Sequence, residues 1–214
     1  MKLILVASAL GRVGTSAMSG LLNLNGFEVG RRPTPGNIHN KKGYFELRKF
    51  NEFYCSVYGK YYSDDLLAIP SIKKVNSLAK RHAKAFERLF DSEFTTDKIV
   101  FKSQRFLNVP LLLNSKYCGS DIRVIHMIRN PVNQARSIIN INGKMSYSVN
   151  SLVKIINKWI NFSDKIKSHY KLNCISIRFE DFVSNKSIVE RVSDFVGCKI
   201  DARSWIDEGM VTYK

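Results

Sequence analysis

The sequence predicts a single α/β domain over 1–214, with a central parallel sheet flanked by helices. Three observations predict it. Short apolar runs, Leu3–Ala7, Ile99–Phe101, Ile122–Ile128 and Cys174–Ile177, alternate along the chain with stretches whose apolar residues recur at helical spacing. The first runs are apolar throughout, as strands covered on both faces require. No repeat, low-complexity tract or linker interrupts the 214 residues, a length that one core can fill.

The elements follow in order. After the strand Leu3–Ala7 a turn, Ser8 to Ser16, leads into a helix carrying Ala17, Met18, Leu21 and Leu22. Asn25-Gly26 is a helix stop, and Phe27-Glu28-Val29 is a short second strand candidate. Gly30 to Lys42, with Pro33, Pro35 and Gly36, reads as a surface loop, closed by Gly43-Tyr44-Phe45-Glu46. Leu47 to Tyr58 is helical, and residues 59–71 form an aromatic and acidic excursion. Ile72 to Phe90 is a basic amphipathic helix whose stripe is Val75, Leu78, Ala79, His82, Phe86 and Leu89. The strand Ile99–Phe101 ends at Lys102, and a helix over Val109 to Tyr117 has Pro110 in its first turn. Ile122–Ile128 is the clearest central strand, and Pro131 opens the next helix. Val149 to Tyr170 is a long helix with Leu152, Ile155, Ile156, Trp159, Ile160 and Ile166 inward. Cys174–Ile177 reads as a further buried strand, and Lys186 to Val196 as the last helix, stopped by Gly197.

Composition narrows the function classes. Hydrophobic residues make up 44% and charged residues 24%, an ordinary globular balance. No apolar stretch reaches the ~18 residues of a membrane span. The net charge of +16 favours polyanions: nucleic acid, anionic glycans, a membrane surface or a phosphorylated cofactor. A merely solvated basic surface is the plainer alternative. Met1-Lys2 followed by an apolar run and Ala7-Ser8-Ala9 resembles a minimal signal peptide. Cleavage there would destroy the first strand, so the buried-strand reading is preferred. Cys55, Cys118, Cys174 and Cys198 are widely spaced and show no CxxC, which reads as reduced, mostly buried thiols in a cytoplasmic protein.

The chemistry concentrates at strand ends. The turn Gly11-Arg12-Val13-Gly14-Thr15-Ser16-Ala17 aims backbone N–H groups and a helix N-terminus at one spot, which favours an anion. Arg12 adds a charge there, and Thr15 and Ser16 add hydroxyl donors. Arg129 follows a strand and opens a helix, with Ser137 eight residues later, two turns along the same face. In a parallel sheet, ligands bind at the carboxyl ends of strands, so the first turn, Lys102 and Arg129 should meet on one edge. Two separate anion sites follow, suited to a ligand with phosphates at two ends. The turn departs from the Walker A pattern, because no Lys precedes Thr15-Ser16. No strand-end carboxylate suits Mg²⁺, and no His/Cys cluster has metal spacing.

These motifs resemble those of the sulfotransferases that use 3′-phosphoadenosine 5′-phosphosulfate (PAPS). In that family a [KR]-x-G-T-[ST] turn binds the 5′-phosphosulfate, and here it stands as Arg12-Val13-Gly14-Thr15-Ser16. The family's R-[ND]-P motif with a Ser eight residues after the Arg binds the 3′-phosphate, and its counterpart is Arg129-Asn130-Pro131 with Ser137. Gly43-Tyr44-Phe45-Glu46 resembles a segment common in small bacterial members, and Ile177 to Phe182 resembles a V-R-[YF]-E-D-L pattern. The resemblance covers residues 3 to about 197. It implies a P-loop NTPase-like topology, PAPS as cofactor, adenosine 3′,5′-bisphosphate as product, no metal, and transfer to an acceptor hydroxyl. Arg12 matches the family's loop cation, and Lys102 matches a Lys beside the sulfuryl group.

The base departs from part of the family. Members acting on small phenols and steroids use a His two residues after that Lys, where this chain has Gln104. Members acting on glycans or tyrosine use a Glu after the second strand, which points to Glu46, the single acid between Gly30 and Lys49. His39 is the reserve candidate, and the plainer reading of Glu46 is an ion pair with Arg12, Arg48 or Lys102. Glu180 and Asp181 read as braces of a strand end, Trp159 as core, and His126 as a satisfied core histidine. The family's basic C-terminal loop has only Arg203 and Lys214 as candidates here. The expected acceptor is a carbohydrate hydroxyl, on an anionic glycan, with peripheral membrane contact through the basic surface left open. The rivals are a P-loop-type kinase, which the absent Walker Lys disfavours, and a nucleic-acid-binding protein, suggested by charge alone.

Overall fold

Leu3, Ile4, Leu5, Val6 and Ala7 are all fully buried, because the strand they form has a neighbour on each side and helices on each face. The computed structural model describes residues 1–37, 43–62, 66–142, 147–185 and 187–201. Among the described residues the strands are β1 (Lys2–Ser8), β2 (Lys98–Gln104), β3 (Asp121–Ile128) and β4 (Cys174–Arg178). They form one parallel sheet in the order β2-β1-β3-β4. The helices are α1 (Thr15–Leu24), α2 (Arg48–Tyr58), α3 (Ile72–Glu93), α4 (Asn108–Leu113), α5 (Pro131–Asn142), α6 (Val149–His169), α7 (Phe179–Ser184) and α8 (Ser187–Val196). Leu3, Leu5 and Ala7 pack with α2–α6, and Ile4 and Val6 pack with α1, α7 and α8. The expected single α/β domain with a central parallel sheet flanked by helices is the fold observed. Chain order reverses about β1, since β2 lies on one side of it and β3 on the other, so a crevice opens at the carboxyl ends of these strands. No helix among the described residues is long and apolar enough to cross a membrane.

Several elements differ from expectation for identifiable reasons. Phe27–Val29 makes only a single parallel bridge, Glu28 to Ile99, because Gly26 and Gly30 take left-handed backbone angles on either side. Lys102 does not end its strand: β2 continues to Gln104, and Lys102 pairs with Val6. The helix expected over Val109 to Tyr117 stops at Leu113, where Asn114 donates its side-chain amide to the Pro110 carbonyl. β4 is an edge strand in which only Ile177 is buried, because β3 covers just one side of it. On α3 the buried stripe is Val75, Ala79, Ala83, Phe86 and Phe90, with Leu78, His82 and Leu89 at its margin. None of the four cysteines is buried: all are free thiols, Cys55 and Cys118 exposed and the other two half-buried. The Leu3–Ala7 run is core, as the preferred reading of the N-terminus holds.

Trp159 is fully buried, and its indole N–H donates to the Leu66 carbonyl. His126 is buried in β3, but it is not fully satisfied. Its Nδ1 lies 3.1 Å from Lys167 Nζ, while Nε2 has no hydrogen-bond partner among the described residues. Burial, and then the Lys167 ammonium, push its pKa down to about 3. An imidazole with a depressed folded pKa contributes stability above its unfolded value near 6.5 and loses it as pH falls, because the unfolded chain takes up the proton first. Stability to urea should therefore decline by about 1.4 kcal/mol per pH unit between about pH 6 and 5. His126→Phe should flatten that slope; an equal slope in the variant assigns the effect elsewhere.

Candidate functional site

The turn after β1 is held open by its neighbours. Gln134, buried on α5, donates its side-chain amide to the carbonyls of Leu10 (3.3 Å) and Gly11 (2.8 Å). Arg12 and Gly14 adopt left-handed angles, φ 70° and 85°. Gly14 is the N-cap of α1, and its carbonyl accepts from Met18 N at 3.0 Å. No side chain caps α1 and no acid stands in its first turn, so its leading N–H groups and positive dipole end face the turn. Thr15 is buried and Ser16 half-buried. Phe179, the first residue of α7, closes the turn from below: a Cβ on Gly14 would overlap its ring.

Lys102 stands where this turn lacks a lysine of its own. Its ammonium donates to Ser16 Oγ and to the Tyr44 carbonyl, each at 2.8 Å, and pairs with Glu46 Oε1 at 2.8 Å. Ser16 Oγ in turn donates to the Tyr44 carbonyl at 3.2 Å. The Lys102 side chain is 4% exposed and that of Glu46 is 16% exposed. Burial pulls the Lys102 pKa down, Glu46 pulls it back up, and nearby Arg12 lowers it further. Glu46 reaches the cation because Thr34 ties its segment down. Thr34 donates its N–H (2.7 Å) and its hydroxyl (2.8 Å) to the Glu46 carbonyl, while Tyr44 N donates to the Thr34 carbonyl at 3.2 Å. Of the partners anticipated for Glu46, Lys102 is the one found, and Arg48 instead pairs with Glu52.

The second anion motif abuts the first. Arg129 donates to the Arg12 carbonyl at 3.2 Å, and Arg12 Nε donates to Ser137 Oγ at 3.3 Å, across 125 residues of chain. The expected pair of separate anion sites is thus one continuous rim, with Arg12 as the link. The R-N-P sequence has a local reason. Asn130 Oδ1 accepts from the N–H groups of Val132 (3.0 Å) and Asn133 (3.3 Å), and Pro131 fits the first turn of α5. The Arg129 guanidinium lies over the Phe179 ring at 4.8 Å. Glu180 braces this corner, as expected: it accepts from Asn130 N at 3.2 Å and lies 3.9 Å from Arg129 Nε.

The structure therefore brings together Arg12, Gly14, Ser16, Glu46, Lys102, Arg129 and Ser137, with Gly11 and Val13 in the turn and Thr15 and Ala17 at the start of α1. His39, Arg203 and Lys214 lie outside the described residues, as does the side chain of Gln104. Sequence reasoning missed the roles of Gln134, Phe179 and the Tyr44 carbonyl. Only Phe179 had a signal, as the aromatic of the motif after β4. Among the described residues no group of three or more His, Cys, Asp or Glu is placed to hold a metal ion.

No family model matches the chain, and no curated protein matches it. Solved structures do. The sulfotransferase domain of the Synechococcus PCC 7002 olefin synthase aligns over 100% of this chain and 83% of its own, with a TM-score of 0.52 at 14% identity. A sulfotransferase from Alicyclobacillus acidocaldarius aligns over 98% and 88%, with a TM-score of 0.53 at 13% identity. A sugar kinase from Janibacter sp. HTCC2649 aligns over 92% and 95%, with a TM-score of 0.47 at 8% identity. These likenesses establish a sulfotransferase-like α/β fold for the chain.

Proposed function

We propose that the chain is a sulfotransferase that moves a sulfuryl group from PAPS to an acceptor hydroxyl on a carbohydrate. The observation that carries this reading is the continuous cationic rim over an uncapped helix N-terminus, with Lys102, Arg12 and Arg129 in a row. That donor set fits a ligand bearing anionic groups at two ends. The turn from Gly11 to Ala17, with Thr15 and Ser16, would hold the 5′-phosphosulfate, and Arg129 with Ser137 the 3′-phosphate. Bound PAPS supplies the sulfuryl group and a phosphate leaving group.

The protein's own groups divide the work. With PAPS bound, Arg12 and Lys102 would stabilise the negative charge that builds on the leaving group, and preorganised cations in a largely buried site are most effective at this. Glu46 takes the proton from the acceptor hydroxyl. In the resting state Lys102 occupies Glu46 Oε1, Ser16 and the Tyr44 carbonyl together. An anion arriving beside Lys102 competes for the ammonium and loosens its hold on the carboxylate, so donor binding readies the base. A polyanionic acceptor is supported by charge: Lys73, Lys74, Lys80, Arg81, Lys84 and Arg88 are exposed on α3, opposite its buried stripe, in a chain of net charge +16.

Millimolar adenosine 3′,5′-bisphosphate, at about 100-fold its Kd, should stabilise the protein by about 2.7 kcal/mol and raise Tm by about 5–10 °C. Arg129→Ala and Ser137→Ala should each shrink that rise. An unchanged Tm with bisphosphate, alongside a rise with ATP–Mg²⁺, selects the kinase reading instead. Salt-sensitive DNA or RNA binding without bisphosphate binding selects the nucleic-acid reading. A screen of hydroxyl acceptors with labelled PAPS then identifies the acceptor.

A further inference from the structure

Glu46 is fastened from a second side by residues that no anion motif includes. Asn51, on the first turns of α2, donates its side-chain N–H₂ to Glu46 Oε2 at 3.3 Å. The Tyr62 hydroxyl donates to Asn51 Oδ1 at 2.9 Å. Tyr62 is itself held by ring contacts: the tilted Tyr54 ring lies 5.2 Å away and the Arg105 guanidinium 5.8 Å away. Arg105 is fixed by its donation to the Tyr61 carbonyl at 2.9 Å.

We propose that Asn51 and Tyr62 are positioning residues that set the orientation and charge of the Glu46 carboxylate, through the chain Tyr62–Asn51–Glu46–Lys102. The inference rests on Glu46 being the base of the sulfuryl transfer. An amide can present either its oxygen or its nitrogen to a neighbour. The ionised Glu46 carboxylate only accepts, so Asn51 turns Nδ2 toward it and leaves Oδ1 to the Tyr62 hydroxyl, whose donation holds the amide in that orientation. That relay needs Tyr62 protonated, and burial, together with the neighbouring Glu46 charge, raises the phenol well above its usual range. A donor that bonds the charged carboxylate favours the charged form, which is the form a base needs before it takes a proton. Lys102 and Asn51 grip different oxygens, so Glu46 stays aimed when the ammonium turns to an arriving anion.

Charged and titratable groups face this chain from several elements among the described residues. Lys102 faces Glu46 from β2, with Arg12 acting on Lys102 from the turn. Tyr62 faces it from beyond α2, with Arg105 and Cys55 acting on Tyr62.

The test is a ¹³C NMR pH titration of glutamate carboxylates in the full chain, with the Glu46 signal assigned by its loss in Glu46→Gln. Asn51→Leu should raise the Glu46 midpoint by about one pH unit, since a donor to the charged form is lost. Asn51→Asp should raise it further, because a second carboxylate takes the amide's place. Tyr62→Phe should move it upward by less. Tyr62 donates its hydroxyl to Asn51 Oδ1, so the shift in Tyr62→Phe should vanish once Asn51 is already Leu, which a merely structural tyrosine would not show. The bisphosphate-induced rise in Tm should survive in all three variants. Midpoints unchanged in Asn51→Asp and Tyr62→Phe overturn the proposal. Midpoints that move in a wild-type background that binds no bisphosphate keep the relay and overturn the sulfuryl-transfer reading instead.

Discussion

Glu46→Gln is expected to cut sulfuryl transfer by about 10²–10⁴-fold while leaving the bisphosphate-induced rise in Tm in place. Glutamine keeps the length and shape of the side chain and can still accept from Asn51, so the site stays assembled. What it loses is the ability to take a proton. Lys102→Met provides the contrast. Lys102 and Glu46 form a pair whose side chains are 4% and 16% exposed, and removing the cation leaves a carboxylate in a largely closed site without its counter-charge. Breaking such a pair costs about 3–5 kcal/mol, so this variant should lose stability, bisphosphate binding and transfer together. The two variants would separate the proposed roles: action on the acceptor for Glu46, and on both the fold and the donor for Lys102. Transfer is measured with the acceptor that labelled PAPS marks. Unimpaired transfer in Glu46→Gln removes Glu46 as base; equal losses of binding in both variants would mean that the pair serves the anion site alone.

Much of this arrangement was legible from residue order. A continuous apolar run such as Leu3–Ala7 has one economical use, as a strand covered on both faces, and the alternation of such runs and the mostly apolar Ile122–Ile128 with helices gave the parallel sheet. The rule that ligands gather at carboxyl strand ends then places the turn, Lys102 and Arg129 on one edge. Local patterns did less well where long-range geometry decides. Nothing in the sequence says that β2 runs on to Gln104, because Lys102 reads as a strand terminator until its ammonium finds Glu46, Ser16 and a carbonyl. Cysteine burial failed for a related reason: Cys55 lies on the outward face of α2, which helix phase alone leaves undecided. The polar second layer was invisible. Gln134, Asn51 and Tyr62 act through one or two hydrogen bonds each, to groups distant in sequence or across a turn, and one glutamine on an amphipathic helix carries no pattern.

Gly14→Ala is expected to damage both the fold and the anion-facing turn. Two independent costs fall on it. The backbone at Gly14 has φ 85°, and an alanine held in the left-handed region costs about 1–2 kcal/mol. The new Cβ would also overlap the Phe179 ring, meeting its Cε2 at 2.8 Å, and overpacking of this kind costs about 1–3 kcal/mol more. The sum, about 2–5 kcal/mol, should lower Tm by several degrees and displace the turn that α1 presents to an anion. Phe179 connects that loss to the other end of the rim, because the same ring carries the Arg129 guanidinium at 4.8 Å. Moving the ring to admit a methyl therefore moves Arg129, and bisphosphate binding should fall more steeply than stability. The double variant Gly14→Ala/Phe179→Ala decides between the two costs. Removing the ring relieves the overlap and leaves the backbone strain, so the two changes should be non-additive, with the double variant more stable than the sum of the singles predicts. Strict additivity would mean that the ring never opposed the methyl and that backbone angle alone demands glycine at this position.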